Sequence, residues 1–509
     1  MNGKRCILKG LLLCWAFTVR AGVSDSTSDV LSAISSGSAG TWQLAEQSYQ
    51  NPAVNQWRLD KGRTNVGAGY FSRKDSHDPD PRDGTGAYNF HGGAETYTKY
   101  RTSTLWGHAK YSNGKINDVK WNETAHADLI YPYILADTTG GDMNEEIYSF
   151  GGGYADRRGK FAWGVSLSYD ATLQYRNVDP RPKNVAGVLE ASVGLMYRFV
   201  AGYYAGLGLT GMKYKQTNDI DFKSEMGVDK IFHLTGLGNH YNRFAGTGLS
   251  TYYNGQRWGV DLNVYPENSK GFFGSVRFAR FTFDNIISDL NKLPMASVWH
   301  NMLEAQCGLM TRGKVMYGGV SGSLALYRRH GTENIFGDPA SSIFPQIGSN
   351  EMFADNAVDV SVTGQWGICR GALDRLQITV TPRWGHRTMA YMEPYSYKEL
   401  NYSKVTAGVY GSKGIGGWLL EASVNGVIKT PYHCTMSRLE TDDELKGLAE
   451  AELGAYMLES HRMAGFDGSI GVTRKIGRYA AGISGRWNHE SYADSMKRNI
   501  LKININFTF

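Results

Sequence analysis

Two acidic stretches carry the residue types that bind divalent cations: Asp75, His77, Asp78, Asp80 and Asp83, and further on Asp142, Glu145 and Glu146. A hard cation needs several oxygen ligands converging on one point, whereas Pro79 and Pro81 splay the first set and neither set has the spacing of a calcium loop. Both read as solvated acidic loops, with no metal and no cofactor expected. Gly206-Leu207-Gly208-Leu209-Thr210-Gly211 matches the dinucleotide pattern GxGxxG, but Tyr203, Ala205, Leu207 and Leu209 alternate through it. That alternation makes it a strand, and a phosphate site needs a strand-to-helix turn there. None of the twelve histidines stands in HExxH, and no GxSxG occurs. His433 near Ser437 and His489 near Ser491 are the pairs a rim-located hydrolase would use, yet nearness in sequence makes no triad, and the chain is read as a non-enzyme. A last group, Arg198, Arg257, Asp261, Arg383 and Glu421, falls on the polar faces of alternating segments. Around a lumen such charges would set solute preference, or would pair to brace the wall or a segment folded against it.

The segments that carry most of these residues read as strands. In Phe161 to Tyr175 every odd residue is apolar while the even ones are Ala, Gly, Ser, Asp, Thr and Gln. Successive side chains of a strand point to opposite faces, so this segment has one apolar and one small or polar face. The same pattern returns in Leu189–Phe199, Trp258–Val264, Val358–Ile368, Leu376–Trp384 and Trp418–Ile428. Polar faces of Gly, Ser, Thr and Asn suit a hydrated interior, and Trp163, Tyr175, Tyr197, Trp258 and Tyr265 suit interfacial girdles. At the end of the chain Leu501, Ile503, Ile505, Phe507 and Phe509 alternate with Lys502, Asn504, Asn506 and Thr508. That face is read as an assembly signal, presented to barrel-insertion machinery before the last strand closes on the first. The expected fold is therefore all-β, a transmembrane antiparallel barrel of about 18 strands (14 to 20) with short periplasmic turns and long external loops. Turns are expected at Arg157–Gly159, Asn254–Gly255, Thr311–Gly313 and Gly371–Asp374, and loops at 74–85, 113–143, 217–244, 330–354 and 431–446.

Residues 1–21 carry Lys4, Arg5 and Lys9, then an apolar run, then Val19-Arg20-Ala21, the layout of a cleaved signal peptide. Removing these residues lowers the formal net charge from +6 to +2, too little to imply a nucleic-acid partner. Cys307, Cys369 and Cys434 are then left, far apart and without CxxC spacing, compatible with one bridge or with three thiols. With 62 Gly and 31 Tyr in a chain only 41 % hydrophobic, no later segment reaches the apolar length of a spanning helix.

Residues 22–63 form a polar lead ahead of a barrel over 64–509, as a periplasmic or lumen-inserted segment. Within it Asn51-Pro52-Ala53 resembles the N-terminal segment of FadL-like barrels, and that resemblance implies a lead that folds inward as a plug. The chain as a whole resembles functionally uncharacterised outer-membrane barrels of Gram-negative gut bacteria. The matching stretches are Trp121-Asn122-Glu123, Tyr131-Pro132-Tyr133 to Asp137, Gly151-Gly152-Gly153-Tyr154 and Asp179-Pro180-Arg181-Pro182-Lys183-Asn184. Such a resemblance implies a fold, an outer-membrane location and outer-membrane lipids as partners, but no activity. With no separate plug domain ahead of the barrel, a TonB-dependent receptor is not expected. The expected function is a transport channel for a small solute or hydrophobic compound. The alternatives are a non-conducting scaffold barrel docked to another outer-membrane protein or lipoprotein, and an outer-membrane hydrolase.

Overall fold

A computed structural model describes residues 30–76, 80–223, 230–244, 249–339, 343–437, 445–493 and 496–509. In chain order its strands are β1 (Arg63–Asp75), β2 (Gly86–Lys99), β3 (Ser103–Val119), β4 (Leu135–Asp137), β5 (Gly141–Arg158), β6 (Phe161–Tyr175), β7 (Arg181–Val200), β8 (Tyr203–Asp221), β9 (Ile231–Gly236), β10 (Asn239–His240) and β11 (Thr251–Pro266). There follow β12 (Gly271–Ile287), β13 (Leu293–Arg312), β14 (Met316–Phe336), β15 (Gln346–Arg370), β16 (Asp374–Tyr391), β17 (Ser396–Ile415), β18 (Trp418–Pro431), β19 (Thr435–Met436), β20 (Met463–Ile476), β21 (Tyr479–Tyr492) and β22 (Lys497–Thr508). Setting aside the short β4, β9, β10 and β19, the eighteen long strands each pair antiparallel with the next and form a closed barrel. Closure is made by β22 against β1, where Phe507 faces Val66 and Ile503 faces Tyr70. A closed sheet leaves no unpaired edge, which a membrane interior would not tolerate.

The alternation seen in sequence decides which side chains face out. Leu195, Leu262, Val424, Ile470 and Ile505 are exposed on the outer surface, as are Trp163, Tyr197 and Trp258. So large an apolar surface on all sides fits a bilayer and not water. Tyr265 departs from the expected girdle and is fully buried, because it follows the outward Val264 and so points inward. The apolar face of β22 (Leu501, Ile503, Ile505, Phe507 and Phe509) is exposed on the outside.

At the end holding Arg63 and Phe509 the hairpin turns are short, such as Gly416-Gly417, where both residues have positive φ (55° and 83°), as tight hairpin turns require. The opposite end carries the long connections, chiefly 120–140, 222–250 and 432–462. Several expected loops are too long: β3 runs to Val119, β14 to Phe336, and β15 restarts at Gln346. These strand ends carry polar residues on both faces with only scattered apolar ones such as Ile116, Ile335 and Ile347, so alternation loses its contrast there while backbone pairing continues. The turn expected at Asn254-Gly255 is instead continuous strand in β11, and a Cβ on Gly255 would lie 2.9 Å from the Phe281 ring. That glycine serves packing, not reversal. The GxGxxG stretch lies wholly within β8.

The lumen as candidate functional site

At the end holding Arg63 and Phe509, the chain ahead of β1 enters the barrel. A helix Val30–Ser38 and two 3-10 helices, Thr41–Gln50 and Pro52–Trp57, cross its interior. Leu31 packs with Leu419 and Ala480 on one side. Leu44, Tyr49, Ala53, Val54 and Trp57 pack with Ala162, Met196, Tyr204, Tyr265, Phe273 and Met310 on the other. The Trp57 ring lies 4.8 Å from that of Tyr204, and the Tyr49 and Tyr265 hydroxyls are 2.7 Å apart. Asn51, Pro52 and Ala53 are buried at the centre of this segment. The Asn51 side chain caps the second 3-10 helix by accepting from Ala53 N at 3.0 Å, and Pro52 occupies its first turn, where a missing N–H costs nothing. The wall is notched to admit this step: Gly164 and Gly194 are register partners, a Cβ on Gly164 would come within 2.6 Å of Ala53 N, and one on Gly194 would overlap Asn51 Oδ1.

The five charges read from the strand faces do not form one site. Arg198 lies 3.9 Å from Glu267 at the turn end. Arg257 pairs with Glu190 across the inner wall. Asp261 accepts from Asn263 and faces Gly208, the register partner of the notch residue Gly194, so it lies beside the inward segment. Glu421 accepts from the Tyr410 hydroxyl at 2.6 Å, and Arg383 pairs with Asp359 at 2.9 Å.

At the opposite end, long loops fold inward. The strands β4, β9 and β10 form a small sheet inside the mouth, and Ile130, Tyr133, Phe232 and Leu234 pack against inward aromatics Tyr214, Tyr253, Phe281 and Phe283 of β8, β11 and β12. The stretches Trp121–Glu123, Tyr131–Asp137 and Asp179–Asn184 meet there around Arg176, which sequence reading overlooked because it stands one residue beyond an alternating strand. Arg176 Nη2 donates to Glu123 Oε1 at 2.7 Å, Asp137 Oδ2 at 2.6 Å and the Pro180 carbonyl at 2.8 Å, all nearly inaccessible to solvent. Asn184 and Asn218 both donate to the Glu123 carbonyl at 2.8 Å. Burial, reinforced by the adjacent Asp137, pushes the Glu123 carboxyl well above its ordinary range. Burial works the same way on Asp137, but hydrogen bonds from Glu123 and Gly140 and the Arg176 charge hold it below its ordinary value.

Beside this cap a cavity of about 890 Å³ occupies the lumen, walled by β13 to β18, β20 and β21, the loop residues around Arg82 and Asp128, and the helix Lys446–Ser460. Its wall is heavily ionic: Arg387 pairs with Asp355 at 2.9 Å, Lys398 with Glu459 at 2.7 Å, and Arg82 with Glu452 at 2.6 Å and Asp80 at 2.8 Å. Of the acidic loop residues, Asp75 is engaged by Arg498 at 2.9 Å, Asp80 by Arg82, and Asp83 lines the cavity; His77 and Asp78 lie outside the described residues, as does the leader 1–21. Among the described residues no group of three potential metal ligands occurs. Nor are the two rim pairs joined: Ser437 Oγ accepts from Tyr397 N, and His489 meets Asn499 at 2.8 Å. His108 contacts Ser149 at 3.2 Å, but no carboxylate hydrogen-bonds His108 among the described residues. Cys307, Cys369 and Cys434 are free thiols.

No curated protein matches the chain. Among solved structures it is similar to the ferric preacinetobactin receptor BauA of Acinetobacter baumannii (8 % identity, 87 % of this chain and 80 % of that one, TM-score 0.37). It is also similar to the ferric citrate transporter FecA (9 %, 88 % and 78 %, TM-score 0.36) and to OccK9 (OpdG) of Pseudomonas aeruginosa (12 %, 88 % and 97 %, TM-score 0.30). These likenesses concern barrel architecture alone, and they do not bear on the FadL-like likeness of the lead. A family model matches residues 52–509, and the chain belongs to that family, DUF6850, a family of unknown function.

Proposed function

We propose that the chain is exported by a leader cleaved near residue 21 to the outer membrane of a Gram-negative bacterium and works there as a transport barrel for a small polar solute. The carrying observation is a large, ionically lined cavity inside a lumen that is obstructed at one end by the protein's own N-terminal segment, residues 30–62. Strand pairing closes the wall without that segment, so it is free to act as a gate. The ionic lining favours a polar solute over a hydrophobic compound, since an apolar molecule would desolvate charges without replacing their partners.

Single-channel recording in planar bilayers tests this reading, with the folded protein compared to a variant lacking residues 22–55. Current steps that grow in the deletion support a gated channel. Silence from both, with barrel folding verified by heat-modifiable mobility, overturns it. The buried aromatic core of the cap favours a second reading, a filled barrel that serves as scaffold. Co-purification of a stoichiometric outer-membrane protein or lipoprotein with a silent barrel would support that alternative.

A further inference from the structure

The cavity wall holds a row of three cations, of which Arg383 is paired with Asp359 and the two lysines have no carboxylate partner among the described residues. Arg383 of β16 is the register partner of Lys404 of β17, and Lys404 is the partner of Lys429 of β18. All three side chains line the cavity. Adjacent strands lie about 4.8 Å apart, and like charges placed directly opposite one another destabilise a sheet.

The nearby carboxylates are already engaged. Asp359 is held by Arg383 through Nε at 3.0 Å and Nη2 at 2.9 Å and also accepts from the Tyr402 hydroxyl at 2.7 Å. Asp355 is taken by Arg387, and Glu459 by Lys398. Asp80 and Glu452 share Arg82. The other carboxylate residues lining the cavity, Asp83, Asp128 and Glu490, belong to loops and to β21, off the strands that carry the row. Lys404 has no hydrogen-bond or ion-pair partner among the described residues. Lys429 donates to the Glu459 backbone carbonyl at 2.5 Å, and its ammonium lies 5.4 Å from the centre of the Tyr402 ring. Each ammonium has three donors, so most of the hydrogen-bonding capacity of this lysine pair is unspent.

We propose that Arg383, Lys404 and Lys429 form the subsite at which the cavity holds the anionic group, a carboxylate or a phosphate, of its solute. The oxygens of such a group bridge the two ammoniums, Tyr402 flanks them, and Asp359 keeps the Arg383 guanidinium aimed along the wall. This deepens the transport reading and rests on it for solute reaching the cavity.

The test measures equilibrium binding of inorganic phosphate, succinate and maltose to the full-length folded protein in nanodiscs, for wild type, Lys404→Gln, Lys429→Gln, the double variant and Lys404→Arg. Each Gln variant is expected to weaken anion binding by about tenfold or more, the loss of a charged hydrogen bond, while Lys404→Arg keeps it. Maltose should respond to neither change. Because repulsion is relieved, the Gln variants should unfold at the same or a higher temperature than wild type, which a merely structural role for the lysines would not produce. The tighter of the two anions identifies the group the site takes. Failure of wild type to bind either anion, or unchanged binding by the double variant, overturns the subsite. Solute flux without anion binding would sink the subsite and leave the transport reading standing, whereas anion binding without flux would do the reverse.

Discussion

Arg176 shows how much a single side chain can hold. It is a cation shared by two buried carboxyl groups, and removing it would leave the buried Asp137 charge to hydrogen bonds alone, those from Thr139 N and Gly140 N among them. Arg176→Met should destabilise the loop 121–139 by about 3–5 kcal/mol, read as lost hydrogen-exchange protection there. The pair also makes the stability of the loop depend on pH. Glu123 holds its proton to higher pH in the folded loop than in the unfolded one, so stability falls as pH rises from the ordinary glutamate range through its raised folded value. Asp137 acts oppositely: its contribution is present above the ordinary aspartate range and is lost as pH falls through its lowered value. Exchange protection of the loop, corrected for intrinsic rates, should therefore decline on the alkaline side, and Glu123→Gln should abolish that decline. Gly194 makes a second case at this scale, since any side chain there overlaps Asn51. Gly194→Val should lower stability by about 1–3 kcal/mol in thermal unfolding, and a compensating cut in the inward segment should recover it.

Among the elements, the terminal strand β22 is the one whose sequence and role in closing the wall coincide most closely. Its outward Phe507 sits against Val66 and beside Tyr479, with the two rings 5.5 Å apart. Replacing Phe507 and Phe509 together by Ala should reduce the fraction of heat-modifiable folded barrel recovered from membranes while leaving synthesis unchanged, as scored on semi-native gels. The long central strands were legible for the same reason as β22: one face meets lipid and the other a polar interior, so period two is written in residue type. Legibility failed where that contrast fades. At Asn254-Gly255 a dipeptide typical of turns lies in mid-strand, and the ends of β3, β14 and β15 continue past the point where one face stops being apolar.

Across the whole molecule the outer belt makes an independent prediction. Trp163, Trp258, Trp366, Trp384 and Trp487 are exposed on the outside, whereas Trp57 is buried in the inward segment. Bilayers of brominated lipid should quench most of the tryptophan fluorescence of the inserted protein, and a variant keeping Trp57 alone should resist quenching. Equal quenching of both would contradict the inside-out distribution that defines the barrel.

The class of fold, the path of most strands and the side each faces are written in residue order alone, because alternation is a local property dictated by backbone geometry and by the two solvents that a barrel separates. The candidate site is of another kind. Glu123, Asp137 and Arg176 come from three loops, the notch for Asn51 from two glycines on paired strands, and the row of Arg383, Lys404 and Lys429 from the register of three strands. Register and loop docking depend on contacts between residues far apart in the chain, which form only once the barrel has closed and its loops have folded inward.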